Sequence, residues 1–115
     1  MPSNGVPNKQ SASQKETRSV AKGYVLLTET ITDPAGMGEY AKAAGPAMAG
    51  ATILAVDRKP TVIEGTWETT QTVLLEFESV QAATDWYYSD AYQAAVALRQ
   101  TAATCNGVIL NGFGT

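Results

Sequence analysis

Residues 22–31 read KGYVLLTETI, and residues 72–77 read TVLLEF. Both runs are rich in β-branched, aromatic and other apolar residues, which predicts strands. Successive residues of a strand point to opposite faces of its sheet. In YVLL, in VLL and in the VIL of residues 108–110, consecutive residues are apolar. Both faces of the sheet are therefore partly greasy, and a helix layer shields only one of them.

The rest of the chain supplies that layer. Asp33 is placed to cap a helix and Pro34 to open it. Met37, Tyr40, Ala41, Ala44 and Met48 follow helical spacing. Gly36, Gly38 and Gly45 weaken this helix, Pro46 interrupts it, and Gly50 is a stop. ATILAV (51–56) reads as a second strand and DRKP as a turn. TVIEG (61–65) is expected to extend or pair with that strand. After a connector and the strand at 72–77, ESVQAATDWYY forms a short helix capped by Ser79. Residues 89–104 form a longer helix capped by Ser89 or Asp90. NGVILNG (106–112) closes as a strand, with Cys105 just before it. The order βαββαβ predicts an α+β, ferredoxin-like sandwich.

A domain of this size buries only about 60–65% of its unfolded surface. A bare apolar sheet face is unusual on a soluble monomer. A second copy, laid sheet against sheet, is the expected partner, and the homodimer is expected to be an α+β barrel.

The 115-residue chain is 44% hydrophobic and 17% charged, with a net charge of -3. Residues 1–21 carry +2 and read as a flexible extension, leaving residues 22–115 as the domain, at -5. An acidic domain argues against nucleic acid as partner and disfavours anionic membranes. No stretch approaches a membrane span, and the start has no signal-peptide core. A single cysteine, Cys105, suits a reducing compartment, so the expected location is cytoplasmic. There is no histidine. That removes Ser-His-Asp and Cys-His nucleophile systems and most zinc sites. Proton transfer falls to Glu, Asp, Tyr, Lys or the cysteine.

Tyr40 and Pro46, Glu64-Gly65-x-Trp67, Glu76-Phe77, Ala83, Trp86-Tyr87-x-Ser89-x-x-Tyr92 and Arg99 together carry a likeness. Over residues 22–112 the chain resembles the domain of unknown function 1330 family, small proteins of the dimeric α+β barrel superfamily. The resemblance implies the sandwich and the dimer and assigns no activity. Superfamily relatives include cofactor-independent monooxygenases, polyketide cyclases, muconolactone-type isomerases and haem enzymes. The haem enzymes generally use an axial histidine, so no cofactor is expected here, and no metal. The chain departs from the family pattern at Gly50-Ala51, Val56, Asp57-Arg58, Gln71 and Asn111-Gly112, where glycines or charges are usual.

Each candidate site residue has a packing reading beside its chemical one. Trp86, Tyr87 and Tyr92 either staple the two later helices to the sheet, or one hydroxyl, on Tyr87 or Tyr92, faces a cavity as acid or donor. Arg99 either pairs with an acid of its own chain or clamps a substrate anion. Glu76 shares a strand side with Thr72 and Leu74. If that side faces the dimer cavity, Glu76 serves as general base, with Glu29 as a second acid. Glu64 either bonds its loop or gives a polar group to an aromatic wall made by Trp67, and it is the alternative to Glu76 as general base. Cys105 reads as inert rather than nucleophilic. Two functions remain open: a cofactor-free enzyme acting by acid/base chemistry on an apolar or aromatic small molecule, and a non-catalytic homodimer that binds a small molecule or acts as an accessory module.

Overall fold

The computed structural model describes residues 20–114. Most of the extension expected over residues 1–21 lies outside the described residues. The elements are β1 (Gly23–Ile31), α1 (Pro34–Ala44), β2 (Thr52–Asp57), β3 (Gln71–Phe77), α2 (Val80–Tyr87), α3 (Asp90–Ala102) and β4 (Ala103–Asn111). The sheet order is β2-β3-β1-β4, with every neighbouring pair antiparallel. This is the expected ferredoxin-like α+β sandwich.

Burial alternates along β1. Val25, Leu27 and Glu29 are buried, while Tyr24, Leu26 and Thr28 are only partly covered. Leu75 and Phe77 of β3 are buried, and Thr72, Leu74 and Glu76 are partly covered. Directly paired residues share a face. The register Leu26↔Leu74, Leu26↔Val108 and Tyr24↔Leu110 therefore collects an apolar set on the face away from the helices. Val108 and Leu110 remain 51% and 44% exposed there. The reading of strands greasy on both sides holds residue by residue.

The helices meet the other face. α1 begins with Pro34 in its first turn after Asp33, although the Asp33 side chain makes no capping bond. Gly45–Ala47 turns more tightly as a 3-10 helix under Pro46, and Gly50 takes φ +88°. The expected stripe holds for Met37, Tyr40, Ala44 and Met48, but Ala41 is exposed and Ala43 takes the inner position. Gly36 does more than weaken the helix. A Cβ there would stand 2.9 Å from the Ala102 Cβ, so the glycine lets α1 close onto α3.

Ser79 and Ser89 cap α2 and α3, their hydroxyls accepting from the backbone N–H of Ala82 and Tyr92. The core joins Val25, Leu27, Leu75 and Phe77 to Ala83, Trp86, Tyr92, Ala95 and Val96. Trp86 stacks on Tyr92 at 4.0 Å between centroids and tilts against Phe77 at 5.0 Å. Its Nε1 donates to the Ala47 carbonyl at 2.8 Å.

Two expectations are corrected. TVIEG forms no strand: residues 58–70 are irregular, Ile63 is 89% exposed, and Gly65 turns the chain at φ +70°. The β-branched residues favour extended backbone, but this run pairs with no strand of the sheet. Helix α3 ends at Ala102, and β4 begins at once with Ala103 opposite Ile31. Cys105 thus lies inside β4, opposite Glu29. Among the described residues, no helix is long and apolar enough to cross a membrane.

Candidate functional site

The row Gln71, Glu29, Cys105 crosses the helix-side face, one residue from each of β3, β1 and β4. Glu29 is 1% exposed. Its Oε1 accepts from Gln71 Nε2 at 2.7 Å, and Gln71 Oε1 accepts from Arg58 Nε at 3.0 Å. Arg99 descends onto this row from α3, on the stripe that also carries Tyr92 and Val96. It is 3% exposed. Its NH1 stands 3.9 Å from Glu29 Oε2, an ion pair beyond hydrogen-bond range. Its Cζ lies 5.7 Å from the centroid of the Tyr40 ring. Among the described residues, Arg99 Nε is buried and has no hydrogen-bond partner.

Arg99 forms part of the wall of a cavity of about 410 Å³ between α3, the end of α2 and β4. Val25, Leu27 and Ile109 give apolar walls, and Tyr87 and Cys105 give polar ones. The volume lies within the range of small-molecule sites, above the lower bound of roughly 300 Å³. Gly107 also lines it, and a Cβ there would stand 2.7 Å from Leu27 Cδ2, so the glycine leaves room for the leucine. Burial pushes the Cys105 thiol up from its usual range, and Arg99 only partly opposes this. The thiol is therefore protonated near neutrality, as its inert reading requires.

The candidate residues separate into three places. Arg99 and Tyr87 reach the cavity, and Glu29 stands behind Arg99. Tyr92 and Trp86 belong to the core. The Tyr92 hydroxyl is engaged with the Tyr40 hydroxyl at 2.7 Å, so it is not free as a donor to the cavity. Glu76, Glu64 and Trp67 lie elsewhere. Glu76 is on the open sheet face and accepts from the Tyr24 hydroxyl at 3.0 Å, a bond that raises the Tyr24 phenol above its usual range. Glu64 is exposed in the irregular segment. Trp67 Nε1 donates to Thr72 Oγ1 at 2.8 Å, which holds the indole at the edge of the open face.

Glu29 and Glu76 are therefore on opposite faces of one sheet and form no acid/base pair. Strand alternation is the reason: their strand partners, Gln71 and Tyr24, point to different sides. The cavity that Arg99 reaches lies on the helix side, not on the open face where the expected dimer cavity would form.

A family model described as a domain of unknown function, DUF1330, matches residues 22–113. The chain belongs to this family. Among curated proteins, none matches it. Solved structures share its fold. A protein of unknown function from Rhodopseudomonas palustris is 17% identical, with 81% of this chain and 83% of that one covered and a TM-score of 0.63. A dimeric ferredoxin-like protein of unknown function from a Jannaschia species is 14% identical, covering 77% and 97%, with a TM-score of 0.59. SnoaB, a cofactor-independent oxygenase from Streptomyces nogalater, is 8% identical, covering 84% and 97%, with a TM-score of 0.59. At these identities the likeness is one of fold.

In this DUF1330 chain, three residues near Arg99 escaped the sequence reading. Tyr40 is legible as part of a helical stripe and of the family likeness, with no site role. Gln71 stood out only as a departure from the family pattern. Cys105 is expected just before its strand and lies inside it. Their common signal is the parity of β1, where Glu29 follows Val25 and Leu27 at steps of two. Among the described residues, no three His, Cys, Asp or Glu side chains cluster as metal ligands would.

Proposed function

We propose that this DUF1330 protein is a homodimer that binds a small, largely apolar organic anion in the helix-side cavity, with Arg99 as the anchor. One observation carries the binding reading: Arg99, which lines the cavity, keeps a buried Nε–H without a partner among the described residues. A buried donor without a partner costs about 1–3 kcal/mol, and an anionic ligand would supply the missing acceptor. The apolar walls favour a ligand whose remainder is hydrocarbon or aromatic.

The binding reading has more support than acid/base catalysis by glutamate. Neither Glu76 nor Glu64 lines the cavity, and Glu29 is occupied by Gln71 and faced by Arg99. Tyr87, Tyr88, Gln100 and Cys105 are the other polar residues that line the cavity. The kinship in fold with an oxygenase that works without a cofactor keeps turnover of such an anion as the second reading.

The dimer is supported by the exposed apolar set on the open face and by a neighbour in fold that is described as dimeric.

The test is calorimetric titration with 2-naphthoate at neutral pH. Binding should be saturable, and Arg99→Lys, which keeps the charge but removes the Nε–H, should weaken it at least tenfold. No binding to the native protein, or equal binding to the folded variant, would overturn the cavity reading.

A further inference from the structure

The charge beneath the anchor has a consequence for how strongly it can hold a ligand. Arg99 brings one positive charge into the interior, and Glu29 brings one negative charge. The Gln71 amide gives Glu29 a hydrogen bond but no charge. Arg58, one step further out, is exposed, so solvent screens it. The buried charge is therefore already balanced one to one before any ligand arrives. A ligand anion must share Arg99 with Glu29. The sharing is loose, because the 3.9 Å separation leaves NH1 and Oε2 without a hydrogen bond and Nε is not involved at all.

We infer that Glu29 and Gln71 are positioning residues that set the anion affinity of the cavity through Arg99, with position 71 as the tuning point. This rests on the cavity reading above. Glu29 holds the guanidinium in place and partly neutralises it. Gln71 fixes how far Glu29 depends on Arg99 for its counter-charge. A cation at position 71 would pair with Glu29 and release Arg99 to the ligand. Removing the Glu29 charge would leave Arg99 to be compensated by the ligand alone.

The test compares an anion with a neutral molecule of the same shape, 2-naphthoate with 2-naphthamide, by calorimetric titration of the full chain. Glu29→Gln keeps the shape of the side chain and its place beside Gln71. It should tighten naphthoate binding by about tenfold or more, the scale of a unit charge several ångströms away in a protein interior. Gln71→Lys should tighten it in the same direction. Naphthamide affinity should stay within about twofold in both variants, which a merely structural role for these residues would not produce.

An unchanged or weakened naphthoate affinity in folded Glu29→Gln and Gln71→Lys overturns the inference. So does an equal change for both probes. If naphthoate binds and Arg99→Lys abolishes it while neither variant moves it, this inference falls and the cavity reading stands. If naphthoate does not bind the native protein, both fall. Should Glu29→Gln fail to fold, Gln71→Lys decides alone.

Discussion

The hydroxyls of Tyr40 and Tyr92 meet at 2.7 Å, tying the middle of α1 to the start of α3 beside the Arg99 guanidinium. Their rings stand edge to face, 6.3 Å apart. Neither phenol can ionise there without leaving a charge in a poorly solvated place. Burial is the largest cause that raises both phenols above their ordinary range.

This pair gives the fold an alkaline limit. The folded chain holds these protons, and that of Cys105, more tightly than the unfolded chain does. The unfolded chain releases them first, near about 8.5 for a thiol and 10 for a phenol. Stability from these groups is complete below those values and falls as pH rises through and beyond them. Urea midpoints should be level near neutrality and decline above about pH 9. The Tyr40→Phe/Tyr92→Phe double variant should show a shallower decline. Equal slopes in both proteins would refute the assignment.

Removing the anchor charge should cost stability as well as binding. Arg99→Leu leaves Glu29 buried without its ion partner, and breaking a buried pair on one side costs about 3–5 kcal/mol. Glu29→Leu/Arg99→Leu removes both charges and should recover most of that loss. Urea unfolding of the two single variants and the double closes the cycle. A double variant no more stable than either single one would argue against the pair.

The open face should control association. Leu26 and Val108 are paired across β1 and β4 on that face. Leu26→Glu, or Val108→Lys, places a charge where a second copy would have to cover it. Sedimentation at micromolar concentration should report a dimer for the native protein and a monomer for each variant. A native monomer would remove the proposed assembly.

Gly36→Ala should destabilise the protein, although alanine is favoured over glycine in a helix by about 0.8–1.0 kcal/mol. The added methyl meets Ala102 Cβ at 2.9 Å and Asp33 Oδ2 at 2.8 Å, so α1 must move off α3. Gly38 in the same helix has nothing within 4 Å, and Gly38→Ala should stabilise. Thermal unfolding of the two variants should shift in opposite directions.

Much of the architecture was legible in the sequence because its signals were local. Pro34, Ser79 and Ser89 mark helix starts, and the apolar strand runs mark the sheet. The side shared by Glu76, Thr72 and Leu74 followed from alternation alone. The site was less legible, since both strand faces are apolar and parity cannot say which one the helices cover. That choice decides whether Glu29 or Glu76 is buried beside Arg99. Nor does sequence spacing reveal the register that sets Gln71 and Cys105 on either side of Glu29. The segment 61–65 misled for a related reason: Val62 and Ile63 favour extended backbone, but a local preference becomes a strand only where it pairs, and this run pairs with none of the four strands.

The strand that finishes the domain also finishes the cavity. β4 joins the front of the sequence to its end, pairing Gly23 with Asn111, and it brings Cys105, Gly107 and Ile109 to the lining. During synthesis β1 has its β4 edge open until residue 111 has been made, and contacts between such distant positions form slowly. The nascent protein therefore lacks this cavity until β4 is in place.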